Sequence, residues 1–144
     1  MRVLVQRCKN ANCKVNNKIV SEIDEGLMLL VGFTDSDNKE TIIKMVNKIV
    51  NLRIFPDELG VMNLSILDTK GSILSISQFT LYADTSKGNR PSYIKAMKGD
   101  KAKLLYEYFN KSLNEYVPCK TGVFGADMEI SLINAGPTTI MLER

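Results

Sequence analysis

Leu74-Ser75-Ile76-Ser77-Gln78-Phe79-Thr80-Leu81-Tyr82-Ala83-Asp84 opens as a β-strand and then stops behaving like one. Leu74 and Ile76 fall on one face and Ser75 and Ser77 on the other, the period of two that a strand requires. From Phe79 the parity reverses, because Phe79 and Leu81 take the face the serines held. One residue around Ser77-Gln78 therefore acts as a bulge or ends the regular ladder. Either event frees backbone N–H groups at the most polar point of the stretch.

Strands and helices alternate outward from this point. Arg2 to Arg7 reads as a first strand, and Cys13 to Ile23 as a hairpin turning at Asn16-Asn17, residues that accept the positive φ of a two-residue turn. Gly26 precedes Leu27-Met28-Leu29-Leu30-Val31, an unbroken apolar run suited to a strand covered on both faces. A helix is expected next, capped by Asp37 with Glu40 three residues on, burying Ile42, Met45, Val46 and Ile49. Leu52 to Phe55 and Val61 to Ile66 read as strands around the turn Pro56-Asp57-Glu58-Leu59-Gly60.

After the opening stretch, Thr85 to Ser92 has no periodicity and reads as a loop. A second helix is expected from an Asp100 cap, with Ala102, Leu105, Tyr106, Phe109, Leu113 and Tyr116 on its inner face, stopped by Pro118. Met128, Ile130 and Leu132 then alternate with Glu129 and Ser131, and Asn134-Ala135-Gly136-Pro137 breaks the chain before a terminal strand, Thr138 to Leu142. The sum is α+β: residues 1–144 as a single domain, a mixed β-sheet or barrel with two amphipathic helices packed outside.

Composition narrows the chemistry. A chain of 144 residues, 44% hydrophobic and 24% charged, suits one globular core. No apolar run approaches the ~20 residues of a membrane span, and the early polar residues argue against a secretory leader, so a cytoplasmic location is expected. Cys8, Cys13 and Cys119 are odd in number and lack the spacing of a metal knuckle, which suggests reduced thiols. There is no histidine. That removes a Ser-His-Asp triad, a Cys-His pair and the usual zinc sites, leaving hydroxyls, carboxylates, lysines, backbone dipoles or the substrate itself.

Four stretches offer chemistry within those limits. Ser77-Gln78-Phe79-Thr80 could present free N–H groups to a developing oxyanion, or be a strand end whose polar side chains satisfy their own backbone. Asn134-Ala135-Gly136-Pro137-Thr138 joins the permissive backbone of glycine to the fixed φ of proline, giving a stiff tip or an ordinary turn. Lys87-Gly88-Asn89-Arg90-Pro91 places two cations on a loop, for phosphates or simply for solvent; the net charge of +3 decides nothing unless it is clustered. Thr121-Gly122-Val123-Phe124-Gly125-Ala126-Asp127 has two glycines that suggest close backbone contact, without the pattern of a phosphate loop.

Together these pieces resemble the D-aminoacyl-tRNA deacylases over nearly the whole chain. The resemblance runs from Arg2-Val3-Leu4-Val5-Gln6-Arg7 through Asn51-Leu52-Arg53-Ile54-Phe55 and Met62-Asn63-Leu64-Ser65 to Thr121 through Met128. It is sharpest at Ser77 through Asp84 and at Asn134 through Thr138. The resemblance implies a homodimer that hydrolyses the ester between a D-amino acid and the terminal adenosine of tRNA, and also removes glycine mischarged onto alanine tRNA. It implies an active site at the dimer interface, with Ser77, Gln78, Phe79 and Thr80 of one subunit facing a cis Gly136-Pro137 tip of the other.

Neither metal nor organic cofactor is implied. Backbone N–H groups, including that of Phe79, would hold the ester carbonyl. The vicinal 2′-hydroxyl of the terminal ribose would supply the reactive group that a histidine-free chain lacks. An alternative within the family makes Thr80 the nucleophile, although a threonine hydroxyl without a neighbouring base is weak at neutral pH. Arg7 is expected to anchor the tip through its donor fork, and Lys87 and Arg90 to contact tRNA phosphates. The chain departs from many relatives in carrying Asn89 before Arg90, where they continue a basic run. Two other readings stay open: a nucleic-acid-binding module without catalysis, and a structural dimer whose tip only secures the interface.

Overall fold

Strand β1 (Arg2–Val15) organises the molecule, because it pairs antiparallel with three others. On one edge it meets β3 (Gly26–Gly32) with its first half and β2 (Lys18–Ile23) with its second; along the other edge runs β8 (Glu129–Glu143). The sheet continues from β3 to β6 (Ser72–Ser77) and β7 (Cys119–Thr121) through parallel pairings, and curls until it is nearly a closed barrel. The computed structural model describes residues 1–144. The result is the expected mixed sheet of an α+β domain.

The β1 and β3 residues alternate between two cores. Val3, Val5, Leu27, Leu29 and Val31 face α1 (Lys39–Val50) and α3 (Gly99–Asn114), whose stripes Ile42, Met45, Ile49 and Tyr106, Phe109, Leu113 close a large apolar core. Met28, Leu74 and Ile76 face the other way, toward Cys8, Cys13 and Ile23. This is why β3 reads as an unbroken apolar run: parallel strands covered on both faces have no side for water. Gly26 sits where the first β3–β6 rung leaves no room, since a Cβ there would lie 1.8 Å from the Ser72 carbonyl oxygen.

Several expected boundaries shift for local reasons. The cap of α1 is Asn38, whose Oδ1 accepts from the Thr41 N–H (3.1 Å). Asp37 is occupied instead by the Met1 nitrogen (2.6 Å) and the Thr34 N–H (2.8 Å). Helix α3 starts at Gly99, so Asp100 lies in its first turn, where its charge suits the helix dipole. Tyr116 falls beyond the helix end and is exposed.

Of the two expected middle strands only Phe55 and Met62–Leu64 pair; Pro56, expected in the turn, joins the first, so that β4 (Phe55–Pro56) and β5 (Met62–Leu64) form a small separate hairpin. Asp57 gathers its turn by accepting from the Leu59 and Val61 N–H groups. A four-residue helix, α2 (Ile66–Thr69), follows on a reciprocal Ser65–Asp68 cap. Asn16 and Asn17 turn the β1–β2 hairpin with positive φ, as expected.

Candidate active site

The parity break resolves as a strand end. The Gln78 N–H makes the last rung, to the Val31 carbonyl (2.7 Å), and Phe79–Tyr82 winds into a single 3₁₀ turn that no side chain caps. Such a turn leaves its first N–H groups, here Phe79 and Thr80, without an acceptor. The turn is braced from behind by Arg2. Its guanidinium donates to the Leu81 carbonyl (2.8 Å) and lies 4.7 Å from the centre of the Tyr82 ring. Burial, with Asp37 adding to it, pushes the Tyr82 phenol up to about 12.

In front of the turn opens a cavity of about 850 Å³. Met28, Leu30 and Ile76 of the sheet, Ile130 and Leu132 of β8, and Met97 and Ala102 at the entry of α3 line it. Phe124 and Met128 border it from the loop that carries the two glycines. Ser77, Gln78 and Phe79 lie at its polar end, together with Gln6 of β1. Size and lining suit a small organic ligand oriented by a few polar groups. Asp127 is the one ionisable side chain in the lining.

The Gly136-Pro137 tip is built by unequal strand lengths. In the β1–β8 ladder Gln6 faces Thr139 and Cys8 faces Asn134, so the four residues Ala135 to Thr138 bulge out opposite Arg7 alone. β8 is therefore one strand through the segment expected to break it. The Gly136-Pro137 bond is cis, as expected, and Gly136 has φ +117°. Arg7 reaches into the bulge, but its partners are the carbonyls of Ala135 (3.3 Å, from Nε) and Ile54 (2.5 Å), not those of Gly136 and Pro137.

Asn134 closes the base of the tip. With its amide assigned so that oxygen faces donors and nitrogen faces acceptors, it accepts from Gln6 Nε2 (3.0 Å) and Thr139 Oγ1 (2.9 Å) and donates to the carbonyls of Arg7 (3.0 Å) and Thr138 (3.2 Å). Arg7 lies on the face of β1 that carries Val3 and Val5, whereas the cavity opens beside Gln6 on the other face. The tip consequently stands outside the cavity of its own chain.

The basic loop is tied to the site at its root. Asp84 and Ser92 exchange backbone hydrogen bonds, and the Asp84 carboxylate takes the Ser86 N–H (3.0 Å) and the Lys95 ammonium (3.0 Å). Hydrogen bonding from Ser86, then Lys95, holds that carboxyl well below the usual range. Lys87 and Arg90 are exposed on the loop and outside the cavity lining. Ser77, Gln78 and Phe79 thus meet in one place, while Thr80 lies just beyond the lining and its hydroxyl has no partner in the chain. Sequence reasoning missed Gln6, Arg2 and Met97; a polar residue beside Arg7 on a buried strand was the signal available for Gln6. All three cysteines are free, and burial lifts their thiols.

Comparison with known proteins bears on the fold and the family. Residues 4–143 match the family model described as D-Tyr-tRNA(Tyr) deacylase. A solved structure titled c-Myc DNA Unwinding Element Binding Protein is 38% identical, with a TM-score of 0.95 over 100% of this chain and 99% of that one. Another, titled as a probable eukaryotic D-amino acid tRNA deacylase, shares the fold at 20% identity, with a TM-score of 0.83 over 98% and 97% of the two chains. No helix is long and apolar enough to cross a membrane. With both signature stretches in place and nearly every residue matched, the chain belongs to the D-Tyr-tRNA(Tyr) deacylase family, hydrolases of D-aminoacyl-tRNA.

Proposed function

We propose that the cavity receives the terminal adenosine of tRNA with its amino acid, that the N–H groups of Phe79 and Thr80 hold the ester carbonyl, and that a second copy of the chain completes the site. The observation that carries this reading is the uncapped 3₁₀ turn at the polar end of an apolar cavity. Unpaired N–H groups of this kind stabilise the oxyanion of a tetrahedral intermediate. Water adds to the carbonyl, the ribose oxygen leaves with a proton, and free tRNA and amino acid result. The neighbouring 2′-hydroxyl assists the water, because the chain has no histidine and Thr80 has no base beside it.

The tip supports the dimer. Gly136 and Pro137 are exposed, are held by Arg7 and Asn134, and cannot serve the cavity of their own chain. In the partner's cavity, beside Ser77 to Thr80, they would fill the space where the side chain of an L-amino acid must go. D-amino acids and glycine, including glycine carried by alanine tRNA, are then accepted together without any side chain being read.

Purified protein incubated with D-Tyr-tRNA, L-Tyr-tRNA and Gly-tRNA(Ala) tests the reading. Loss of the D and glycyl esters with the L ester spared is expected; equal loss of D and L esters overturns it. Thr80→Ala and Asp127→Asn are expected to keep substantial activity, whereas a terminal 2′-deoxyadenosine, acylated on its 3′-oxygen, is expected to be nearly inert. An inactive, folded Thr80→Ala protein would return the nucleophile role to Thr80. The 38% identity to a DNA-binding protein favours a second reading, a nucleic-acid-binding module, and binding without turnover in this assay would select it.

A further inference from the structure

Phe79 and Tyr93 pack edge to face, ring centres 5.0 Å apart, at the mouth of the cavity. Both are unusually open for aromatic residues, 55% and 41% exposed, and the adjoining Ile94 is 85% exposed. Phe79 lines the cavity; Tyr93 does not. The strip that carries Tyr93 is firmly held. Ala96 N–H donates to the Tyr93 carbonyl (2.9 Å), Thr34 Oγ1 to the Lys95 carbonyl (2.7 Å) and Met97 N–H to the Phe33 carbonyl (2.9 Å).

The sequence neighbours of this apolar step are cationic. Lys87 and Arg90 rise on the loop rooted at Asp84 and Ser92, and Lys95 and Lys98 follow in the chain, all exposed. Asp84, the acid at the root, is already paired with Lys95. A partly exposed aromatic ring with cationic neighbours in the chain suits a nucleobase whose phosphates the cations contact, because every base has a face that stacks.

We infer that Tyr93 is a stacking platform for the base immediately preceding the terminal adenosine, and that this contact draws the single-stranded end of tRNA across the step into the cavity. The inference rests on the function proposed above. Tyr93 is a positioning residue: it acts on how the RNA is held, not on the ester.

The test compares two substrates and adds a readout independent of turnover. With Tyr93→Ala in the full chain, KM for D-Tyr-tRNA is expected to rise about tenfold with kcat unchanged, a loss typical of one base–aromatic stack. Hydrolysis of D-tyrosyl-adenosine, which has no preceding base, is expected to be unaffected, and Tyr93→Phe to behave as the parent. Uncharged tRNA carrying 2-aminopurine at the penultimate position is expected to lose fluorescence on binding the parent protein and to keep it with Tyr93→Ala.

Equal effects on both substrates, an unaffected KM for tRNA, absence of quenching, or a changed oligomeric mass of Tyr93→Ala would each overturn the inference. The last outcome would assign the step to a contact between copies of the chain. Failure of the parent protein to cleave either ester would overturn the proposed function and leave the fluorescence measurement to decide the role of Tyr93.

Discussion

Gly136 has little freedom to change. A Cβ there would meet Thr138 Oγ1 at 2.6 Å, Thr138 N at 2.7 Å and an Arg7 nitrogen at 3.0 Å, on a backbone with φ +117° that L side chains rarely adopt. Gly136→Ala is therefore expected to displace the tip at a local strain of about 1–3 kcal/mol. Deacylation should fall at least ~10-fold, the effect of about 1.4 kcal/mol on the barrier, with the circular dichroism of the folded chain retained. Arg7→Lys should not substitute for Arg7, because one ammonium cannot reproduce a rigid fork spanning the carbonyls of Ala135 and Ile54. Residue type alone left the Gly-Pro pair as a stiff tip or an ordinary turn, and its cis bond was expected only from the family resemblance. The true partners of Arg7 were not legible: Ile54 is remote in sequence, and which carbonyls turn inward depends on a bulge no local pattern describes.

The loop rooted on Asp84 and Ser92 is the element through which charge should act. Replacing Lys87 and Arg90 together by glutamine is expected to weaken tRNA binding and to flatten its salt dependence by about 0.7 log unit per lost single-strand contact. The preference for D over L esters should not change, since neither residue reaches the cavity. Identical salt slopes for the two proteins would remove this loop from the RNA surface. At this scale the sequence was informative wherever periodicity was long: the stripes of α1 and α3, the two-faced run of β3, and the parity break after Ser77. It failed for short elements. Nothing in three residues of β7 or four of α2 can outweigh tertiary contacts, and the 3₁₀ turn keeps an alternation that a strand would show equally well.

Across the whole molecule, stability should be level where most proteins titrate a histidine. The chain has none, and burial raises the Cys8 thiol to about 11 and that of Cys119 to about 12. A thiol that holds its proton more tightly when folded contributes fully below its unfolded value of 9.0, and the contribution is lost as pH rises through the folded one. At ~1.4 kcal/mol per unit, Cys8 accounts for about 3 kcal/mol between those limits. Carboxyls of Asp57, Asp68 and Asp84, held low by hydrogen bonds, have the opposite dependence and lose their contribution as pH falls below the ordinary carboxylate range. Urea midpoints are expected to be flat from about pH 5 to 8 and to drop above about pH 9, with a shallower alkaline limb in Cys8→Ala.

Strand β8 carries both part of the lining of its own cavity, at Ile130 and Leu132, and the tip that its own cavity cannot use. In a two-copy enzyme each site would then draw on two polypeptides, and defects in the two contributions would complement. Homodimers of Gln78→Ala, altered in the cavity lining, and of Gly136→Ala, altered in the tip, should both be impaired. Unfolded and refolded together, they should form mixed dimers in which one site inherits two defects and the other none, and activity should return. If the mixture stays as impaired as its parents although mixed dimers form, each chain works alone and the tip has another purpose.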